Sequence, residues 1–182
     1  MSETVASVRK TFKYQLKPTP EQERRLADSM WHCRTLDTTA RAQRITAWQR
    51  CRRAVTRYEQ EAELKAIRAE FPAYAAIHSH LLHDVLARLD QTYQAFFRRS
   101  QRGEKAGVPR FKSATRSSSF TSNEFGTGAR LDTGWLVLSK LGRVAVRWSR
   151  PLAGHWKAPP RPSRVARKLT AGLPAAAVPR CP

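Results

Sequence analysis

The spacing of apolar residues divides the chain into a first strand, a helical block and later strands. Over residues 8–16 the apolar side chains share one parity, which is typical of a half-buried strand. Thr19, Pro20 and Gln22 then have the spacing of a capping box with proline at the first helical position. Together they predict that a helix starts here.

The predicted helical block begins with a long segment free of helix breakers. Neither glycine nor proline occurs from Glu21 to Phe71, and apolar residues, Trp48 and Tyr58 among them, recur every three or four positions. This pattern predicts one long helix, or two helices with a hinge near residues 40–44. After the interruption FPAY, a second apolar stripe from Ile77 to Phe96 predicts a helix that ends near Arg99–Gly103.

After Gly107 the sequence pattern changes from helical apolar stripes to short β-like segments. Residues 135–139 and 143–148 are predicted to form a hairpin with Leu141 and Gly142 in its turn, and residues 119–122 to form a further short strand. A helical block inserted between strands predicts an α+β fold in which the first strand lies beside the later ones. Residues 158–182 hold six of the eleven prolines and no aromatic residue, which predicts a disordered basic tail.

The net charge of the chain indicates which class of partner the protein binds. The 34 Lys and Arg outnumber the 14 Asp and Glu, for a formal net charge of +20, which favours nucleic acid first and an anionic membrane surface second. No apolar run approaches the roughly 18 residues of a membrane-spanning helix, and the N-terminus lacks a secretory signal. Three scattered cysteines fit a reducing compartment. We therefore expect a cytoplasmic protein without a membrane partner.

The residue types that carry catalysis or bind metals show no convincing cluster, so we predict no catalytic residue, metal or cofactor. Asp84 and Asp90 fall on different faces of one helix and are interpreted as solvated charges. In HSHLLH, His78 and His80 would point about 200° apart on a helix, so the three histidines cannot share one ligand face, although His80 and His83 can.

Nucleic-acid binding is better supported. Basic residues surround the end of the second helix and the following loop, with Phe96, Phe97 and Phe111 interleaved. Basic side chains neutralise phosphates and aromatic rings stack on unpaired bases, although Phe96 and one neighbour also fit a core stripe. Arginines of the first helix add a basic face, with solvated surface as the alternative. The predicted binding residues are Lys13, Arg34, Arg41, Arg44, Arg98, Arg99, Arg110 and Lys112.

Several spaced motifs resemble one family in the family's own order. They are KTFKYQLKPTPEQERRL at 10–26, Cys33-Arg34, LARLDQTYQAFFRR at 86–99, GVPRFK at 107–112, SFTS at 119–122, LVLSKLGRVAVRW at 136–148 and RPLAG at 150–154. Over about residues 8–157 the chain resembles the N-terminal part of the TnpB, or OrfB, proteins of bacterial insertion sequences, which are related to type V CRISPR effector nucleases.

The resemblance implies a wedge-like β-module, a partial barrel, interrupted by a helical recognition lobe. Residues 8–18 are then the first strand, 19–106 the helical lobe with a helix-turn-helix-like start, and 107–157 the remaining strands. A disordered and out-of-frame tail is expected at 158–182. The partners implied by the resemblance are a transposon-derived guide RNA and a DNA target.

Two departures from the family shape the expected function. Asp37-Thr38 stands where relatives have Tyr-Asn, and the carboxylates of the family's RNase H-like nuclease and the CxxC pairs of its zinc ribbon have no counterparts. We therefore expect a nucleic-acid-binding fragment that is not an enzyme by itself. The alternatives are a part that supports cleavage only in trans with a separate nuclease domain, and a poorly folding, non-functional remnant.

Overall fold

The computed structural model describes residues 14–113, 119–122, 127–132, 134–148 and 163–166. The helices are α1 (Pro20–Cys51), α2 (Arg57–Glu70), α3 (Pro72–Ala75) and α4 (Ser79–Gln101). The strands are β1 (Gln15–Lys17), β2 (Ser119–Ser122), β3 (Ala129–Asp132), β4 (Trp135–Leu138), β5 (Gly142–Arg147) and β6 (Ser163–Ala166). This confirms the α+β class. None of the helices in the described residues is long and apolar enough to cross a membrane.

Helix α1 starts where the sequence predicts. The Thr19 hydroxyl accepts from the Gln22 backbone N–H at 3.3 Å, while the Gln22 side chain accepts from the Thr19 backbone N–H at 3.0 Å. Pro20 is the first helical residue. Gln22 also donates through Nε2 to the carbonyl oxygen of Arg143 in β5 at 2.6 Å, so the start of α1 is fixed to the sheet.

The predicted hinge at residues 40–44 is wrong, as is the alternative of one helix reaching Phe71. Helix α1 runs unbroken to Cys51, and Arg52 ends it in the left-handed conformation at φ 51°. Thr56 then forms a second capping box with Glu59 and starts α2. The break lies at residues 52–56 because the Thr56 box supplies the helix start that residues 40–44 lack.

Helix α4 forms the centre of the helical core and ends within the predicted range. Leu82, Leu86 and Leu89 have no exposed surface and pack with buried side chains of α1 and α2, among them Cys33 and Leu64. Extended backbone at Phe71, which precedes a proline, separates α2 from the single turn of α3. Burial of the apolar side chains of α1, α2 and α4 supplies the main stabilisation of this block.

The larger sheet has the strand order β1-β5-β4-β3 and is antiparallel throughout. The predicted hairpin is confirmed as β4–β5, but Gly142 is already the first residue of β5, so the turn is residues 139–141. In β1, Leu16 is half-buried between the exposed Gln15 and Lys17, as the alternation predicts, while residues 8–13 of the predicted strand lie outside the described residues. Gln15 pairs with Arg147, which places the first strand beside a later one.

The remaining strands contradict part of the predicted tail. Strand β2, predicted at 119–122, pairs antiparallel with β6, so residues 163–166 are not disordered. The sequence predicts no strand at 163–166, because this strand is defined by its pairing with the backbone of the distant β2. Phe120 of β2 is fully buried. The other residues of 158–182 lie outside the described residues.

Candidate nucleic-acid interface

The predicted binding residues fall into separate environments. Lys13 lies outside the described residues, and Arg34 is half-buried on α1. Arg41 and Arg44 lie inside the helical block. The other predicted residues, Arg98, Arg99, Arg110 and Lys112, are exposed at the end of α4 and in the loop that follows.

Arg41 is an interior residue and does not contribute to an open basic face. Its side chain is 1% exposed, and Nη2 donates to Asp37 Oδ2 at 3.1 Å, one helical turn away. The Phe111 ring lies 5.9 Å from its guanidinium carbon, and Lys112 Nζ lies 3.8 Å from Asp37 Oδ1. The expectation that Arg41 faces nucleic acid is therefore corrected, because its guanidinium is enclosed and paired.

Arg44 joins three helices. Its Nε donates to Gln60 Oε1 of α2 at 2.9 Å, and its Nη1 donates to Asp90 Oδ1 of α4 at 3.0 Å. Its guanidinium carbon lies 5.3 Å from the centre of the Tyr93 ring. These contacts correct two expectations: Arg44 is not a surface cation, and Asp90 is not merely solvated. Asp84 is also buried, and its carboxylate lies 3.0 Å from Arg88 Nε.

The end of α4 and the loop after it form an exposed basic surface. We call it the α4-end surface, and its residues are Arg98, Arg99, Arg102, Lys105, Arg110 and Lys112. Glu104 lies among them and its carboxylate accepts from Arg99 Nε at 2.9 Å. Within the described part of the chain, Arg98, Arg102, Lys105 and Arg110 have no carboxylate partner. Phe97 stands beside this surface with 55% of its area exposed, whereas Phe96 is half-buried.

The sequence places Arg50, Arg52 and Arg53 on a basic face of the first helix but does not indicate the exposed aromatic rings beside them. With Trp48 and Tyr58 these arginines form a second, largely exposed cluster. We call it the α1–α2 corner, and its residues are Trp48, Arg50, Arg52, Arg53, Arg57 and Tyr58. The sequence pattern assigned Trp48 and Tyr58 to one apolar helix stripe, but the break at 52–56 places both at a solvent-exposed turn. The signal that could have located it is the Thr56-x-x-Glu59 capping box.

Cation–aromatic contacts and ion pairs order this corner. The guanidinium carbon of Arg52 lies 5.9 Å from the centre of the Trp48 ring, and that of Arg57 lies 6.0 Å from the Tyr58 ring. Arg53 pairs with Glu59, and Arg57 Nε pairs with Glu61 at 2.6 Å. Hydrogen bonds from the backbone and side chain of Thr56, followed by the contact with Arg53, lower the pKa of Glu59.

The histidines are arranged differently from the helical prediction. His78 is the extended N-cap of α4, and its ring stacks on His80 with 5.2 Å between centroids. His83 Nδ1 lies 3.5 Å from Glu61 Oε1. No group of three or more His, Cys, Asp or Glu among the described residues could hold a metal ion. Burial raises the pKa of the Cys33 thiol to about 12, so this cysteine remains protonated and is a poor nucleophile.

The N-terminal part of the chain matches a known family. Residues 6–54 fit the family model HTH_OrfB_IS605, a helix-turn-helix domain. This part of the chain is OrfB-like. The match confirms the resemblance to the TnpB/OrfB insertion-sequence family over the N-terminal part. A search of the curated proteins finds no match.

The OrfB-like segment includes β1, α1 and the first residues of the break that follows. Its described part therefore holds one strand and one uninterrupted helix of 32 residues. It contains Arg34, Arg41, Arg44 and four exposed residues of the α1–α2 corner, namely Trp48, Arg50, Arg52 and Arg53. The family's description as a helix-turn-helix domain supports a DNA-binding, transposase-associated role for the OrfB-like part, although its described residues hold a single helix and no turn between two helices.

Proposed function

We propose that this protein is the nucleic-acid-binding part of a TnpB-like transposon system, which holds a guide RNA and a DNA target without cleaving DNA by itself. The observation that carries the proposal is the α4-end surface, where four exposed cations have no carboxylate partner in the described residues. The OrfB-like N-terminal segment supplies the transposon context. The sheet β1-β5-β4-β3 is then the described part of a wedge-like β-module.

The electrostatics of this surface suit a phosphate backbone. Residues 98–113 contain six basic residues and one acid, Glu104, which is already paired with Arg99. Each cation that neutralises a phosphate releases condensed counterions, so binding must weaken as salt rises. Arg98 and Arg99 also lie in the last turn of α4, where a cation stabilises the helix dipole. If Arg98 and Arg99 acted only on the helix dipole, replacing them would lower the stability of the protein without changing its binding to nucleic acid.

The test compares salt dependence in matched variants. Fluorescence anisotropy with labelled duplex DNA and a labelled RNA hairpin gives the slope of log K against log salt. We expect Arg98→Ala with Arg110→Ala to reduce that slope by about 2, or about 1 for each phosphate contact. The control is Lys65→Ala with Arg130→Ala, which removes the same charge from exposed positions of α2 and β3 outside the OrfB-like segment. Equal slopes for the two double variants, or absence of binding, would overturn the proposal.

The same preparation tests the alternatives. Mg²⁺ with guide RNA and labelled target DNA is expected to give no cleavage product, and a product would contradict that part of the proposal. A non-functional remnant would melt without a cooperative transition. We expect cooperative melting, because Leu82, Leu86 and Leu89 are fully buried in a hydrophobic core formed by helices and strands.

A further inference from the structure

We propose that the α1–α2 corner binds unpaired bases of single-stranded nucleic acid. This inference rests on the proposed function, because it assumes a nucleic-acid ligand, but it assigns a second surface and a different chemistry. The α4-end surface offers cations to phosphates of any strand. The α1–α2 corner also offers aromatic faces, which only an unpaired base can cover.

Two aromatic rings project into solvent on either side of the turn. Trp48 lies in the last turn of α1 and is 53% exposed, while Tyr58 lies in the first turn of α2 and is 78% exposed. Both are outside the hydrophobic core of the described residues. Rings of this size gain most from a flat partner that covers a face, which a nucleobase provides.

The charges at the corner favour a polyanion over a protein partner. Arg53 and Arg57 are compensated by Glu59 and Glu61, whereas Arg50 and Arg52 have no carboxylate partner within the described segments. A single strand presents phosphates and bases in alternation. The two guanidiniums without carboxylate partners can bind its phosphates, and the exposed rings beside them can stack on its bases. A protein partner would need a broader apolar core than two rings separated by a polar turn.

The conformation of Arg52 gives a second reason. It adopts φ 51°, in the left-handed region that favours glycine, and a larger residue there costs about 1 kcal/mol. Glycine is the usual residue after a helix end of this type. Here an arginine occupies the position, and its guanidinium lies over the Trp48 ring. In this position it can move to a phosphate as a base occupies the indole face.

The experiment uses the full chain and probes of about 12 nucleotides. The probes are labelled oligo-U, oligo-dT and an abasic strand of the same length. Trp48→Ala is expected to weaken binding to the strands with bases by about 5- to 100-fold, the range for loss of one stacked base, and to leave abasic binding unchanged. Trp48→Phe should restore most of the affinity. A preference between oligo-U and oligo-dT identifies RNA or DNA as the ligand.

The matched control is Trp31→Ala. Trp31 lies on the same helix and is 52% exposed, but it stands against the His32 ring, away from the turn. Arg52→Gly is a second variant, because glycine relieves the backbone cost at φ 51° while the substitution removes the guanidinium together with its contact with the Trp48 ring. It is expected to fold at least as stably as the parent and to bind all three probes more weakly.

Each outcome separates this inference from the proposed function. Equal losses for Trp48→Ala and Trp31→Ala, or an equal loss on the abasic strand, would overturn the stacking site. If Arg98→Ala with Arg110→Ala still weakens duplex binding, the proposed function stands while this inference fails. If the parent protein binds neither duplex nor oligonucleotide at low salt, both fail.

Discussion

The long helix α1 carries arginines in two opposite environments. Arg41 and Arg44, in its central turns, are enclosed and bonded to Asp37, Gln60 and Asp90. Arg50 and Arg52, at its end, are exposed and have no carboxylate partner within the described residues. The same residue type thus forms interior contacts in the middle of the helix and remains available to a ligand about two to three turns later. Net charge alone cannot distinguish these roles, because both sets contribute equally to the +20.

The carboxylates determine which arginines can be buried. Removing a guanidinium from water costs several kcal/mol unless a carboxylate and further hydrogen bonds compensate for it. Asp37 provides the carboxylate for Arg41 through Nη2 and also attracts Lys112, while Nε and Nη1 of Arg41 are buried without a hydrogen-bond partner among the described residues.

The largest expected effect comes from breaking that interior pair. Asp37→Ala leaves the Arg41 guanidinium enclosed without a counter-charge, and we expect it to lower the free energy of unfolding by about 3–5 kcal/mol. Urea denaturation followed by circular dichroism measures this loss. Arg25→Ala breaks the exposed pair with Glu21 and serves as control, with an expected loss below about 1 kcal/mol. Similar small losses for both variants would show that burial does not distinguish the two pairs.

A smaller effect is expected at Arg44. Arg44→Ala removes charge-assisted hydrogen bonds to Asp90 and Gln60, and we expect a loss of about 2 kcal/mol. Below its melting temperature, this variant should bind duplex DNA with the same slope of log K against log salt as the parent protein. Arg98→Ala, by contrast, is expected to reduce that slope. Weaker binding by a still-folded Arg44→Ala protein would contradict the assignment of Arg44 to the interior.

The two cysteines of α1, one buried and one exposed, provide the same comparison for the dependence of stability on pH. Burial raises the pKa of Cys33 from 9.0 to about 12, so the folded state holds its thiol proton more tightly than the unfolded state. The resulting stability is complete below pH 9 and decreases between pH 9 and 12, by about 1.4 kcal/mol per pH unit. Cys33→Ala should remove this part of the slope, measured by urea denaturation at pH 8 to about 10.5.

Cys51 is exposed and provides the control. Cys51→Ala should leave the pH dependence unchanged. In peptide mapping after brief alkylation at neutral pH, Cys51 should be modified much faster than Cys33. Equal rates would show that the interior of α1 opens readily.

The elements that the sequence predicts well are those with a local chemical signal. The Thr19 capping box, the β4–β5 hairpin and the end of α4 each depend on a few neighbouring residues and are confirmed. The break after Cys51 was misplaced although Thr56 and Glu59 carry the same signal as Thr19 and Gln22. Strand β6 left no local signal, because its pairing depends on backbone groups of a distant segment.

The candidate site was only partly predictable for a related reason. The basic side chains at the end of α4 lie where the apolar stripe of the helix stops and a polar loop begins, so their exposure can be inferred from the local sequence. Whether Arg41 and Arg44 face solvent depends on where Asp37, Gln60 and Asp90 lie in three dimensions. Periodicity locates a helix face but does not identify what packs against it.

The pairing of Gln15 with Arg147 also has a consequence for the order of folding. Closing the sheet joins chain segments that flank the whole helical block, and such distant contacts form slowly because loop closure costs entropy first. The α1, α2 and α4 contacts are closer in sequence and should form earlier. Synthesis from the N-terminus therefore leaves β1 without its partner until β5 emerges, and the helical block must stay soluble during that interval.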